Sequence, residues 1–144
     1  MATTTASVSI SSSDLQVGNR LALNASTTCM KAGLTTGLEK IEMGKNTLTV
    51  AESASSGVSL KLATTAGIDG ASKVYLCNNA TDETFYIRLD LHDTVVGRLY
   101  AGDWLFIPWS QNDTTNELVI QAIGGSCPYE YAIFKEDETV VAGA

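Results

Sequence analysis

Residues 95–109 read VVGRLYAGDWLFIPW, two apolar runs that are separated by a short turn. Val95–Tyr100 and Trp104–Trp109 are rich in the β-branched and aromatic residues that favour strands. Between them, Ala101–Asp103 contains the glycine and aspartate that are typical of a tight turn. Pro108 cannot donate a backbone hydrogen bond, so it suits a strand end or a sheet edge. The stretch therefore predicts an antiparallel pair of strands.

Short apolar runs of the same kind continue on both sides of this pair. They are bounded by turn residues and recur at intervals of about ten residues, a spacing typical of antiparallel sandwiches and barrels. The absence of helix–strand alternation argues against a parallel α/β sheet. We predict an all-β fold, an antiparallel, jelly-roll-like β-sandwich. The segments are Val74–Cys77, Thr84–Leu89, Glu117–Ile123 and Tyr129–Phe134 in the second half, and Leu15–Val17, Leu21–Leu23, Thr47–Val50 and Val58–Leu62 in the first.

One segment of the first half has helical rather than strand spacing. Leu34, Leu38 and Ile41 recur at intervals of four and three residues, which places them on one face of a helix. We expect at most a short helical turn over Leu38–Met43, closed by Gly44.

The two halves of the chain differ in composition. All ten aromatic residues lie between Tyr75 and Phe134, whereas most of the serines and threonines precede residue 75. The net charge divides at the same place, with +1 over residues 1–74 and −8 over residues 75–144. The bulky side chains that can build a core thus lie in the second half. The first half must take its packing partners from that core or from other subunits.

These differences predict four regions. Residues 1–13 form an extended N-terminal arm, 14–72 a strand-containing region that packs on the core or on neighbours, 73–136 the aromatic-rich sandwich, and 137–144 a tail. A Ser/Thr/Ala-rich terminus such as 1–13 is frayed unless something ties it down. We expect a neighbouring subunit to do so.

Composition also argues against several classes of partner. A net charge of −7 without any basic run does not suit nucleic-acid binding, which needs clustered Lys or Arg. The first thirteen residues have neither the cationic nor the apolar region of a signal peptide. No run approaches the length of about 18 apolar residues that a membrane span needs. We expect neither nucleic acid nor membrane as a partner, and synthesis in a host cytoplasm without secretion.

Patterns that would indicate catalysis or metal binding are weak. His92 is the single histidine, and a Ser-His or Cys-His nucleophile system would have to use it. Cys29, Cys77 and Cys127 are too widely spaced to suggest zinc ligands. We expect them to be small buried hydrophobes in a reducing compartment, with an intersubunit disulfide as the alternative.

The acidic residues occur in short groups. Asp82-Glu83 and Glu136–Glu138 have the pattern of solvated turns. Asp90 and Asp93 could offer oxygens to calcium, but they lack the spacing of an EF-hand loop. We expect no enzyme activity, no metal and no cofactor.

Two tryptophans flank the strand that follows the tight turn. Trp104 and Trp109 are five residues apart, so they point to opposite faces of a regular strand. We expect one of them to pack in the core and the other to lie in an interface or to form a sugar-binding platform.

Two resemblances extend this interpretation. Arg98–Pro108 resembles the Gly-Asp turn and Pro-ended strand of many cupin-type jelly rolls, but it lacks the His and Glu ligands of metal-binding cupins. Residues 73–136 resemble small virion structural proteins of tailed bacteriophages. That likeness is carried by Val74–Asn79, Gly97–Trp109 and Tyr129–Phe134.

The phage resemblance implies a non-enzymatic protein of the virion. Within that group we expect a capsid decoration (cement) protein, a homotrimer that binds the major capsid protein on the outside of the shell. The alternatives are a tail-tube or fibre-associated protein, and a carbohydrate- or receptor-binding β module. The residues predicted to lie in interfaces are Val8, Ile10, Leu15, Val17 and Trp109.

Overall fold

The computed structural model describes residues 4–16, 19–30, 38–50, 58–60, 70–92, 94–111 and 117–136. They form ten β-strands joined by turns and loops, which confirms the predicted all-β fold. In chain order the strands are β1 (Thr4–Gln16), β2 (Asn19–Cys29), β3 (Glu39–Leu48), β4 (Val58–Leu60), β5 (Gly70–Asn78), β6 (Tyr86–Leu91), β7 (Thr94–Tyr100), β8 (Trp104–Gln111), β9 (Leu118–Ile123) and β10 (Cys127–Lys135).

The chain divides into two compact units, Met1–Glu39 and Lys40–Ala144. The first contains a two-stranded antiparallel sheet of β1 and β2, whose pairing runs from Thr4 opposite Cys29 to Ser12 opposite Leu21. The strand pair predicted around Leu21–Leu23 is therefore much longer than the sequence suggested. Most of the predicted arm, residues 4–13, belongs to β1. The four predicted region boundaries stay predictions.

The second unit is a sandwich of two four-stranded sheets. One has the order β3-β10-β5-β8 and the other the order β4-β9-β6-β7. From β3 to β10, successive strands alternate between the two sheets except at the β6–β7 hairpin, whose two strands lie in the same sheet. This arrangement of eight antiparallel strands is the double-sheet jelly roll. The structure thus confirms the predicted sandwich and gives it a specific strand order.

The core lies between these two sheets, because each strand turns alternate side chains inward. In β5, Val74 and Leu76 are fully buried, while Tyr75 and Cys77, which alternate with them, are only half-buried. Trp109 is 5% exposed and packs in the same core. The other members from the strands are Leu48, Ile87, Leu89, Leu99, Leu118, Ile120, Ala122, Cys127, Tyr129 and Ile133.

The prediction of a short helical turn over Leu38–Met43 is wrong. Residues from Glu39 onward form β3, which pairs with β10 at the edge of its sheet. Gly44 does not close a helix but lies under the ring of Tyr131, where an added Cβ would come within 3.1 Å of the ring atom Cε1. Pairing with β10 and this close approach outweigh the helical spacing of the apolar residues.

The predicted position of Pro108 is confirmed, because β8 is the edge strand of its sheet. The tight turn at Ala101–Asp103 is also present. Gly102 has a φ of 85°, a left-handed value that glycine adopts without strain. The carboxylate of Asp103 accepts a hydrogen bond from the backbone amide of Tyr100 at 2.9 Å.

Asn78, at the end of β5, fixes this turn against the rest of the sandwich. Its side chain is fully buried, donating to the carbonyl of Leu99 at 2.8 Å and accepting from the amide of Ala80 at 2.9 Å. Its backbone bonds to both Gly102 and Asp103 in the β7–β8 turn. One buried amide side chain thus joins three segments of the chain.

Replacing Asn78 by Ala should therefore destabilise the sandwich. The carbonyl of Leu99 and the amide of Ala80 would lose their partners in a buried site, at a cost of about 1–3 kcal/mol for each group. Equilibrium unfolding in denaturant measures this loss. Asn79→Ala is the matched control, because Asn79 is exposed and its replacement should change stability by less than about 0.5 kcal/mol. Equal stability of the two variants would contradict the role of Asn78.

Candidate functional site

The first candidate surface is the apolar face of the β1–β2 hairpin. Strand register places Val8 opposite Ala25 and Ile10 opposite Leu23, all on one side of the ribbon. The exposed fractions of Val8, Ile10 and Leu23 are 36%, 50% and 53%. We call this surface the hairpin apolar face; its members are Ala6, Val8 and Ile10 of β1 with Leu21, Leu23 and Ala25 of β2.

The opposite side of the hairpin is polar and holds the two strands together. The Ser7 and Ser26 hydroxyls lie 3.1 Å apart, and the Ser9 hydroxyl donates to the Asn24 side-chain oxygen at 2.8 Å. The ribbon is therefore amphipathic. A two-stranded hairpin is marginally stable by itself in water, so an exposed aliphatic face on one is a strong sign of a binding surface.

The structure locates the predicted interface residues as follows. Val8 and Ile10 lie together on the hairpin apolar face. Leu15 lies in β1, and its side chain, like the whole of Val17, falls outside the described residues. Trp109 is a core residue of the sandwich. Leu23, which the sequence prediction omitted, belongs with Val8 and Ile10.

The expected division of the two tryptophans is present. Trp109 points into the core, whereas Trp104 is 48% exposed on the outer face of the sheet β3-β10-β5-β8. The exposed tryptophan available to a partner or a ligand is therefore Trp104. The interface role predicted for Trp109 does not agree with the burial of its side chain.

A polar group lies next to Trp104 on the same outer face. The Tyr75 hydroxyl donates to the Glu130 carboxylate at 3.2 Å, and the Lys45 ammonium lies 3.7 Å from the other oxygen of that carboxylate. Cys77 is directly opposite both Trp104 and Glu130 in the strand pairing. We call these five residues, Trp104, Cys77, Glu130, Tyr75 and Lys45, the Trp104 surface.

Desolvation and the neighbouring acidic groups keep the Tyr75 hydroxyl protonated. Burial raises its pKa from 10.0 to about 12, with further contributions from Cys77 and Glu130. At neutral pH this hydroxyl is therefore a hydrogen-bond donor to the carboxylate.

A second aromatic cluster lies on the outer face of the other sheet. The rings of Tyr86 and Tyr100 have centroids 5.1 Å apart, and the Arg98 guanidinium lies 4.8 Å from the centroid of Tyr86. A hydrogen bond to the Tyr100 hydroxyl, together with the two tyrosines' charge, raises the pKa of Arg98. The neighbouring Arg88 instead forms a two-point ion pair with the buried Asp90, both bonds being 2.8 Å.

The other residues that the sequence singled out lie apart from these surfaces. His92 is exposed at the β6–β7 turn with a φ of 53°, and Asp93 falls outside the described residues. Asp82 accepts two hydrogen bonds from Thr84, which lower the pKa of its carboxyl group. Glu136 forms an ion pair of 2.6 Å with Lys73.

The three cysteines are free thiols in this structure, with Cys29 and Cys127 buried and Cys77 half-buried. Burial raises the pKa of the Cys127 thiol. Within the described ranges, no three His, Cys, Asp or Glu side chains come close enough together to hold a metal ion. The same part of the chain contains no helix with the length and hydropathy to cross a bilayer.

Comparison of the chain with protein-family models, with curated proteins and with solved structures gives no significant match. The hairpin apolar face and the Trp104 surface are therefore the two candidate functional sites of the protein.

The raised pKa of Tyr75 predicts a specific pH dependence of stability. Between pH 10 and pH 12 the unfolded chain loses the phenolic proton while the folded chain keeps it. The unfolded state then binds fewer protons, so the free energy of unfolding falls as the pH rises through this window. Tyr75→Phe removes this contribution and should show a shallower fall, measured by denaturant unfolding at several pH values. Parallel curves for the two proteins would contradict the assignment.

Proposed function

We propose that this protein is a non-enzymatic structural protein of a phage particle, a decoration or cement protein that binds the outer capsid surface and ties capsomers together. The observation that supports the proposal is the hairpin apolar face, which exposes Val8, Ile10 and Leu23 on a two-stranded ribbon. The phage setting comes from the resemblance of residues 73–136 to small virion proteins.

The hairpin is suited to docking on another protein in two ways. A partner protein can cover its aliphatic face, and complete burial of an Ile or Leu side chain contributes about 1.5–3 kcal/mol to the free energy of binding. A two-stranded sheet also has two outer edges, and a sheet edge is where a strand of a partner protein can add. Both modes use a long, narrow contact, which is appropriate for bridging adjacent capsid subunits.

The charge distribution favours the hairpin as the docking element. The second half of the chain carries most of the negative charge, whereas the first half is close to neutral. An acidic sandwich that remains in solvent discourages aggregation of particles, while a neutral hairpin docks without burying unpaired charge.

The proposed form on the capsid is a homotrimer. Three hairpins on one particle-bound trimer would engage neighbouring sites together, so their combined affinity would exceed that of one hairpin by a large factor. Modest contacts at each hairpin are then sufficient for stable attachment. Jelly-roll domains are also common in viral capsids, a fold-level analogy that is compatible with the proposal.

The test replaces two aliphatic side chains of the hairpin apolar face by polar ones. Ile10→Ser together with Leu23→Ser should lower the affinity of the full-length protein for purified capsids of its phage by about a hundredfold or more, because two buried side chains are lost. Co-sedimentation of the protein with capsids over a range of concentrations measures the effect.

The matched control is Val95→Ser together with Val96→Ser in β7. These two valines are 52% and 57% exposed on the sandwich, so the control removes similar exposed apolar area elsewhere. It should bind capsids like the wild type. Unchanged capsid occupancy by the Ile10/Leu23 variant would contradict the proposed role of the hairpin, as would a wild-type protein that fails to bind capsids.

A further inference from the structure

We propose that the Trp104 surface is a binding site for a neutral saccharide, in which Trp104 stacks on a pyranose ring, Glu130 and Lys45 bind its hydroxyl groups, and Tyr75 holds the Glu130 carboxylate in position. The site lies on the sandwich and is independent of the hairpin. The proposal of this site does not depend on the proposed function, because a β protein with a different function could have the same site.

The strand pairing brings the members of this surface into one row. Trp104 of β8, Cys77 of β5 and Glu130 of β10 lie side by side across three adjacent strands. Adjacent strands are about 4.8 Å apart, so the backbones of Trp104 and Glu130 are separated by about 10 Å. We call the strip of outer surface between Trp104 and Glu130 the trough; Cys77 lies within it, beside the Tyr75 hydroxyl.

One wall of the trough is an exposed indole. Leaving a tryptophan 48% exposed is unfavourable in water, because the ring has a large apolar surface. The face of an indole carries partial negative charge, and the C–H groups on the face of a pyranose carry partial positive charge. Stacking of these two faces covers the indole and leaves the sugar hydroxyls directed to the sides.

The other wall supplies both kinds of hydrogen-bonding group. The Glu130 carboxylate accepts hydrogen bonds, and the Lys45 ammonium, whose side chain is 80% exposed, carries three N–H donors. The Tyr75 hydroxyl holds the carboxylate in place from the same face. A sugar hydroxyl both donates and accepts, so it can bind the carboxylate and the ammonium together.

Asn79 adds a further polar group at the end of the trough. It is exposed, and its side-chain oxygen accepts from the Cys77 thiol at 3.4 Å, which leaves its amide nitrogen directed away from that contact. An amide donor beside an aromatic ring suits a hydroxyl or an N-acetyl group of the ligand.

The charges of the site select among saccharides. Glu130 and Lys45 are 3.7 Å apart and carry opposite charges, so the trough is close to neutral as a whole. The sandwich around it is acidic. A uronic or sialic acid would bring a carboxylate toward that negative field, whereas a neutral hexose or N-acetylhexosamine would not. The ligand class is therefore a neutral pyranose.

The test measures binding of glucose, galactose, mannose and N-acetylglucosamine to the full-length protein. Iodide quenching of tryptophan fluorescence reports on Trp104 directly, because the other tryptophan, Trp109, is buried. At least one of these sugars should protect Trp104 from iodide in a saturable manner. An array of immobilised neutral oligosaccharides extends the same measurement to larger ligands.

Variants then identify the site by array binding. Trp104→Ala should reduce binding by more than about tenfold, as expected when a central aromatic anchor is removed. Glu130→Gln should also weaken binding, since it removes the charged acceptor. Tyr100→Ala is the matched control, an aromatic residue 41% exposed on the opposite sheet, and it should bind like the wild type.

Two results would overturn the proposal. One is a folded wild-type protein that binds none of the neutral sugars or oligosaccharides. The other is saccharide binding that Trp104→Ala and Tyr100→Ala affect equally. The variant with Ile10 and Leu23 replaced should lose capsid binding but keep sugar binding. That result would support this site and show that it acts independently of the hairpin.

Discussion

The alternation of side chains across the two four-stranded sheets determines which residues form the core of the sandwich and which form its outer surfaces. Inward side chains such as Val74 and Leu76 contribute to one shared core, whereas outward side chains form the surfaces of the two sheets. Because Val74 and Leu76 are buried in β5, Tyr75 and Cys77 must face outward, and the paired strands place Trp104 and Glu130 beside them. The core therefore fixes the composition of the Trp104 surface as well as the stability of the fold.

The hairpin follows the same alternation, and the described residues of its unit form one two-stranded sheet. Val8, Ile10 and Leu23 occupy positions that would face a core in a sandwich, yet they are exposed. The serine side chains on the polar face add hydrogen bonds between the strands, but each such bond contributes only about 1 kcal/mol net. A two-stranded ribbon with these contacts is marginally stable by itself in water.

Much of the sandwich could be predicted from the sequence, because turn residues separate its strands and each strand has a strong apolar run. All six strands of the second half lie where the sequence placed them, within a few residues at their ends. The opposite orientation of Trp104 and Trp109 followed from their spacing alone. The strand order could not be predicted, since it depends on pairing between segments that are far apart in sequence.

The features that could not be predicted from the sequence all depend on which strands pair with each other. The apolar residues at helical spacing lead into β3, yet from Glu39 onward the chain forms a strand beside β10. Leu23 joins Val8 and Ile10 because of the hairpin register, which a short alternating segment does not specify. The contact of Glu130 with Tyr75 and Lys45 likewise joins three strands. In each case the missing information was which strands are neighbours.

The central claim is that the sandwich is stable by itself while the hairpin takes its stability from a partner. Hydrogen exchange of the backbone amides in the free protein tests this claim most directly, because it measures the free energy of opening of each strand. The account predicts slow exchange for the hydrogen-bonded amides of β5 and β9, and much faster exchange for those of β1 and β2. Capsid binding should slow exchange only in the hairpin. Equal protection of the hairpin and the sandwich in the free protein would contradict the account.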